Sequence, residues 1–351
     1  MSKPVLIVID VQLGAFDGEK MAPLSDAQIF LENVEILQIY FREQGYPVIF
    51  IQDSGCPGGA FESGTSHWEI HPKVAPSSTE KVFHKQSSSG FEGTNINNYL
   101  KGLGVENLVL CGLHSEHCFT NTAISALGHD YNVIIASDAH STKINQNQNQ
   151  NQNPKNIVTK QNKILQENGG VVLPTQEVLK LNFETLLETE RLLVRQFENK
   201  DFEPLFSLMS DADSMKFTGF KVPQSKDQVR SALRGWKKEG LQSQGIWGVV
   251  VRDSQEFVGW VMLKPTTSMI PELGYMVLNS QSEKGYATEI AFAMLNYAEE
   301  SLRIFQVVAF TSPSNLTSAR VLEKIGMKKL ENEALKYETV CYNISFDFKN
   351  Y

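Results

Sequence analysis

Residues 107–142, NLVLCGLHSEHCFTNTAISALGHDYNVIIASDAHST, decide the fold of the first half of this 351-residue chain. An apolar run reaches Gly112, a polar turn leads to Cys118, FTNTAISALG has helical content, and NVIIASDAHS is a second apolar run. Apolar strands without polar alternation belong to a sheet covered on both faces. Upstream, LIVID ends at Asp10 and PVIFIQD ends at Asp53. Between them Phe30, Val34, Leu37 and Phe41 recur at helical spacing, closed by Gly45. Strands alternating with amphipathic helices predict an α/β fold with a parallel sheet in a three-layer α/β/α arrangement. Ligands in such sheets lie beyond the carboxyl ends of the strands. Asp10, Asp53, Asp138 and the 112–118 turn are expected to gather there.

The length favours two domains, each with its own core. A net charge of −8 and a pI near 5.5 argue against general nucleic-acid binding, which leaves a basic footprint. No run has the apolar length of a membrane span, and MSKPVLIVIDVQ has no signal-peptide pattern. The four cysteines (Cys56, Cys111, Cys118 and Cys341) have no paired spacing. A reducing, cytoplasmic setting with free thiols is the expectation.

Cys118 at the start of a helix allows two readings. The macrodipole could lower its pKa and favour a nucleophilic thiolate, or it could be a small buried hydrophobe. Asp10 in LIVIDVQ, Lys85 in VFHKQSSSGFEGT and the 112–142 stretch together resemble the isochorismatase-like cysteine hydrolases. The resemblance covers about the first 185 residues. It implies Cys118 as nucleophile, Asp10 as general base, and Lys85 holding the pair in its reactive charge state. It also implies backbone oxyanion donors at His114 and Cys118, with a cis bond at Leu113–His114. Hydrolysis of an amide, ureido or lactam carbonyl follows, rather than cleavage of isochorismate itself. A homo-oligomer through this domain is compatible with the resemblance.

His67 and His71, with Glu69 between them, invite a metal reading. Pro72 after His71 opposes a helix presenting both, and H-x-E-x-H matches no zinc-peptidase order. Asp53 is followed by Ser54 and Gly55, so the metal motif of the related nicotinamidases is absent. The expectation is no metal and a substrate-side loop bearing Trp68.

The Asn/Gln run at 145–153 resembles a linker, yet Ile157, Val158, Ile164 and Leu165 behind it have helical spacing. Pro154 starts that helix and Gly169-Gly170 close it. VVLP reads as a strand, followed by a short helix with Thr175 as a candidate N-cap. The run is therefore expected to be a surface loop inside a domain spanning 1–185, with a second domain over 186–351.

The second half opens with TERLLVR and an amphipathic helix. A hairpin follows in IWGVVVRDSQEFVGWVMLKP, then a strand in PELGYMVLN. Gly285 precedes a helix, a turn type that can hold phosphate on free amides. These pieces, with PSNLTSARVLEKIGM, resemble a GCN5-related N-acetyltransferase (GNAT) domain of mixed α/β fold. The branch resembled is that of the ribosomal-protein N-terminal acetyltransferases. The resemblance implies acetyl-CoA as cosubstrate, its pyrophosphate on the amides around Gly285, Tyr286, Ala287 and Thr288. Asn315 and Ser318 would meet its pantetheine arm or thioester. Ser282-Glu283 departs from the family pattern, and an acidic Glu283 helps only if it points to solvent. Glu272 is read as a surface strand residue, and Tyr275 and Tyr286 stay undecided between core and acid roles.

The sequence thus points to a bifunctional enzyme acting on small-molecule amides and amines, with no nucleic-acid or membrane partner. The alternatives are a hydrolase with a non-catalytic acetyl-CoA-binding or regulatory module, and a protein N-terminal acetyltransferase with a hydrolase appendage.

Overall fold

A computed structural model of the chain describes residues 3–144, 153–183, 185–218, 223–330 and 339–346. The chain divides into two compact units, Met1–Leu181 and Asn182–Tyr351.

The first unit runs β1 (Val5–Ile9), α1 (Ala27–Glu43), β2 (Val48–Asp53), β3 (Lys81–Lys85), α2 (Ile96–Gly102) and β4 (Asn107–Leu113). It continues α3 (Thr120–Gly128), β5 (Asn132–Ser141), α4 (Pro154–Glu167), β6 (Val171–Leu173) and α5 (Thr175–Val178). The strands form a parallel sheet in the order β3-β2-β1-β4-β5-β6. Every residue of β1 and β4 is buried, the outcome of apolar runs with helices on both faces. Val5, Ile7 and Ile9 join a core with Leu100, Ala123 and Ala126, while Leu6 and Val8 point the other way. The chain leaves β1 toward β2 and leaves β4 toward β5, so the crevice at their carboxyl ends is a switch point.

Gly112 makes that crevice close. It pairs with Ile9 at φ +130°, and a Cβ there would stand 2.1 Å from the Ile9 carbonyl oxygen. The 145–152 part of the Asn/Gln run lies outside the described residues. Asn153 caps α4 by accepting the Lys155 backbone N–H, and α4 buries Gln161 and Leu165. Thr175 is not the cap of α5: Pro174 holds that position, and Asp138 accepts both the Thr175 amide and its hydroxyl.

The second unit runs β7 (Thr185–Glu188), β8 (Leu192–Arg195), α6 (Phe202–Ser210), α7 (Ala212–Met215), α8 (Lys226–Glu239), β9 (Gly245–Val251) and β10 (Phe257–Pro265). It continues β11 (Pro271–Val277), α9 (Tyr286–Asn296), β12 (Gln306–Thr311), α10 (Leu316–Lys324), β13 (Lys328–Lys329) and β14 (Val340–Ser345). The mixed sheet has the order β13-β14-β12-β11-β10-β9-β8-β7. Leu193 faces a core with Leu205 and Val229, while Leu192 and Val194 face one with Ile290 and Leu322. Helices α6 and α8 thus cover one face, and α9 and α10 the other. The parallel neighbours β11 and β12 share one paired position, Glu272↔Val308, and the sheet parts beyond it. No described helix is long and apolar enough to cross a membrane.

Candidate functional sites

Three strand ends converge in the first unit. Asp10 follows β1 at φ 53°, Lys85 closes β3, and Cys118 lies in the wide turn Ser115–Phe119 after β4. Lys85 Nζ stands 2.8 Å from Asp10 Oδ2, 2.6 Å from Asp53 Oδ2 and 3.3 Å from Cys118 Sγ. Lys85 and Asp10 are fully enclosed, whereas the Asp53 side chain is 21% exposed. Burial would lower the lysine, yet Asp10 and Cys118 hold it above the usual lysine range. Burial pushes Asp10 up to about 6 against the pull of Lys85, and the negative charge of Asp53 on the same ammonium adds to the rise. Asp10 Oδ1 is buried without a hydrogen bond.

Cys118 departs from the dipole argument. Burial, with Asp10 beside it, pushes the thiol up to about 12 rather than down. Desolvation outweighs the few partial charges of a helix end. A thiol with a buried carboxylate at hand needs a base before it can attack, and Asp10 is positioned as one.

The turn itself is held from outside. The bond Leu113–His114 is cis, as the resemblance implied. The His114 carbonyl accepts the amides of His117 and Phe119. The His114 imidazole stacks on Phe61, and burial pushes it down to about 4. Behind the turn, His140 Nδ1 lies 2.9 Å from Ser115 Oγ and Nε2 2.9 Å from Asn162 Oδ1. Its ring stacks on Phe119 at 4.4 Å. Thr120 donates to the Ser115 carbonyl at 2.6 Å and to Gln161 Oε1 at 3.1 Å. Both ends of the turn are gripped through β5 and α4.

Of the three aspartates expected at strand ends, Asp10 and Asp53 meet on Lys85, whereas Asp138 lies inside β5, which continues to Ser141, and does not join them. It is engaged with Thr175 instead. Asp53 was placed at a strand end by its sequence, but its share in Lys85 had no motif. Gln12 was also missed: its Nε2 donates to the Asp53 and Trp68 carbonyls, and its Oε1 accepts the Asp53 amide. Its place two residues after Asp10 was the available signal.

His67 and His71 serve different partners. His67 Nδ1 lies 2.6 Å from Asp17 Oδ2, while His71 packs on Phe16 and accepts the Lys73 amide. Trp68 stacks on His84. Asp10, Asp53 and Cys118 bring ligand atoms within 4.8 Å of one another, but the Lys85 ammonium contacts all three. A bound cation would face that fixed positive charge.

In the second unit, Gly285 takes φ +81° immediately before α9, and Glu283 takes φ 63°. Ser282, Glu283, Lys284 and Gly285 are exposed, while Tyr286, Ala287 and Thr288 are half-buried. Glu283 thus meets the condition set for it. Asn315 caps α10 by accepting the Ser318 amide, and Ser318 Oγ lies 3.2 Å from the Tyr275 hydroxyl. Burial raises Tyr275 to about 12, so that hydroxyl keeps its proton. Glu272 sits where β11 and β12 begin to part, with its carboxyl raised by burial. An exposed loop of left-handed residues, a helix N-terminus and a split sheet fit a phosphate-bearing cosubstrate with an extended arm.

A family model described as an isochorismatase domain matches residues 4–165, and one described as an acetyltransferase (GNAT) domain matches residues 191–328. The isochorismatase family protein YddQ of Bacillus subtilis, itself uncharacterized, is 35% identical over 139 residues, 39% of this chain and 77% of that one. Streptothricin hydrolase of Streptomyces noursei is 34% identical over 137 residues, 39% of this chain and 49% of that one. The match thus spans about half the length of that hydrolase. The uncharacterized N-acetyltransferase YnaD of B. subtilis is 29% identical over 144 residues, 41% of this chain and 82% of that one. The chain therefore belongs to the isochorismatase family through its first unit, and carries a GNAT acetyltransferase domain in its second.

Proposed function

We propose that the chain is a bifunctional enzyme. Its first domain (residues 1–185) hydrolyses an amide, ureido or lactam bond, and its second (186–351) acetylates an amine. The observation that carries the hydrolase reading is the contact of Lys85 Nζ with Asp10 Oδ2 and Cys118 Sγ in one buried cluster. Asp10 takes the thiol proton as Sγ bonds to the carbonyl carbon. The oxyanion is received by the backbone N–H groups of His114 and Cys118. The C–N bond breaks as Asp10 returns the proton to the leaving nitrogen, giving a thioester on Cys118. Water then attacks with Asp10 again accepting a proton, and the acid and the Cys118 thiol are released.

Acetyl-CoA, when bound, supplies an acetyl thioester to the amine. The amides around Gly285, Tyr286, Ala287 and Thr288 would receive its pyrophosphate, and the Asn315 and Ser318 side chains its arm. Hydrolysis of an amide releases an amine, so the two reactions suit one small molecule in sequence. Streptothricin leads the substrate panel because a hydrolase of that name is among the relatives. Peptide N-termini stand beside small amines as acceptors, to test the ribosomal-protein branch. The test is mass spectrometry of intact protein with that panel: a Cys118 adduct in wild type, none in Cys118→Ala. Turnover retained in Cys118→Ala would refute the covalent route.

A further inference from the structure

Arg191, in the TERLLVR segment, has no part in the roles above, yet its side chain ends on the loop before α9. Its Nη1 donates to the Lys284 carbonyl at 2.9 Å, immediately ahead of Gly285. Its Nε donates to Glu289 Oε2 at 2.7 Å, and Nη2 lies 2.6 Å from the same oxygen. The guanidinium covers the Tyr286 ring at 4.8 Å from its centroid. The Arg191 amide and the Thr189 hydroxyl both donate to Glu289 Oε1. A Cβ on Gly285 would meet Arg191 Nη2 at 3.4 Å. One side chain thus reaches three positions, 284, 286 and 289, from the β7–β8 hairpin.

Two consequences follow for an anion arriving at α9. The pull on the Lys284 carbonyl fixes the peptide whose N–H belongs to Gly285, and so the direction of the amides that follow. Glu289 in the first turn competes with any phosphate for the positive end of the helix. Burial raises that carboxyl, but hydrogen bonds from Thr189 and Arg191 hold it below the usual carboxylate range, so it is ionised. The two-nitrogen contact from Arg191 offsets that charge where a phosphate must come.

We propose that Arg191 is the positioning residue of the pyrophosphate loop: it fixes the Lys284–Gly285 peptide and neutralises Glu289 so that α9 can accept the diphosphate of acetyl-CoA. This rests on the acetyl-CoA reading of the second domain. It also gives a role to a cation from the β7–β8 turn where the loop carries Ser282-Glu283.

The test is calorimetric titration of the full chain with CoA, alongside thermal unfolding. Arg191→Gln should bind CoA about tenfold more weakly with its unfolding transition nearly unmoved, and Arg191→Lys should recover part of the loss. Arg191→Gln with Glu289→Gln should bind severalfold better than Arg191→Gln alone, because no uncompensated carboxylate remains. The proposal is overturned if Arg191→Gln binds CoA within twofold of wild type. It is equally overturned if the double variant is no better than the single one, which would make Arg191 a plain structural tie. Wild type that binds no CoA at millimolar concentration would defeat the acetyl-CoA reading and this proposal together.

Discussion

At neutral pH Cys118, pushed up to about 12, keeps its proton, while Asp10, at about 6, has largely lost its own. The resting pair is thiol and carboxylate, so proton transfer must accompany carbon–sulfur bond formation. As pH falls through about 6 Asp10 takes up a proton and the fraction of free base falls; above it the base is increasingly free. Hydrolysis should therefore rise with pH through about 6, read from initial rates on the first substrate found. Asp10→Asn should lose at least a hundredfold in rate across the whole range. Lys85→Met leaves two carboxylates facing each other in the buried cluster. We expect it to destabilise the first domain by about 3–5 kcal/mol in urea titration. Asp10 was legible as the end of an apolar strand. Lys85 and the pairing with Cys118 came instead from the ordered motif of the resembled family, since Lys85 closes a half-exposed strand, KVFHK, that apolar pattern does not mark. The charge state of Cys118 was not legible, since its burial comes from packing against a core drawn from several strands and helices. Nor was Arg191, whose partners lie more than ninety positions away.

At the scale of elements, the wide turn depends on pieces that come later in the chain. His140 meets Ser115 by hydrogen bond and Phe119 by stacking, and Asn162 orients the ring from α4. With burial pushing His140 down to about 4, the ring is neutral and can accept from Ser115 while donating to Asn162. His140→Ala should cost about 2–4 kcal/mol and slow alkylation of Cys118 by iodoacetamide, followed by peptide mass spectrometry. Gly112→Ala should be worse, because its Cβ would meet backbone of β1 rather than a movable side chain. We expect the first domain of that variant to be insoluble or unfolded at 37 °C, judged by circular dichroism. The strands β1, β2, β4 and β5 were readable from their apolar runs and α4 was read correctly behind the Asn/Gln run, but the short β3 and α2 between β2 and β4 were not read. What period could not supply was the grip of α4 on the turn that carries Cys118, which is a matter of polar side chains at Gln161 and Asn162. Asp138 shows the same limit: it was expected at a strand end, but β5 runs on to Ser141 and Asp138 is tied to Thr175 instead.

For the whole molecule, the division into Met1–Leu181 and Asn182–Tyr351 predicts that the two fragments fold separately. The first should form the Cys118 adduct and the second should bind CoA; a first fragment ending at residue 144 should form no adduct, as it lacks α4. If the two reactions share a molecule, mixing the fragments should slow formation of the doubly processed product relative to the intact chain. The shared lysine bears on which molecules arrive at all. One ammonium beside two carboxylates leaves the pocket a surplus anion, and transfer of the thiol proton to Asp10 only relocates that charge to the substrate oxygen. An anion arriving beside Cys118 would add a second negative charge near this largely buried cluster, which the lowered local dielectric makes costly. We therefore expect neutral and cationic acyl compounds to be preferred over carboxylated ones at this cluster. Added salt should narrow the gap in kcat/KM between the two kinds.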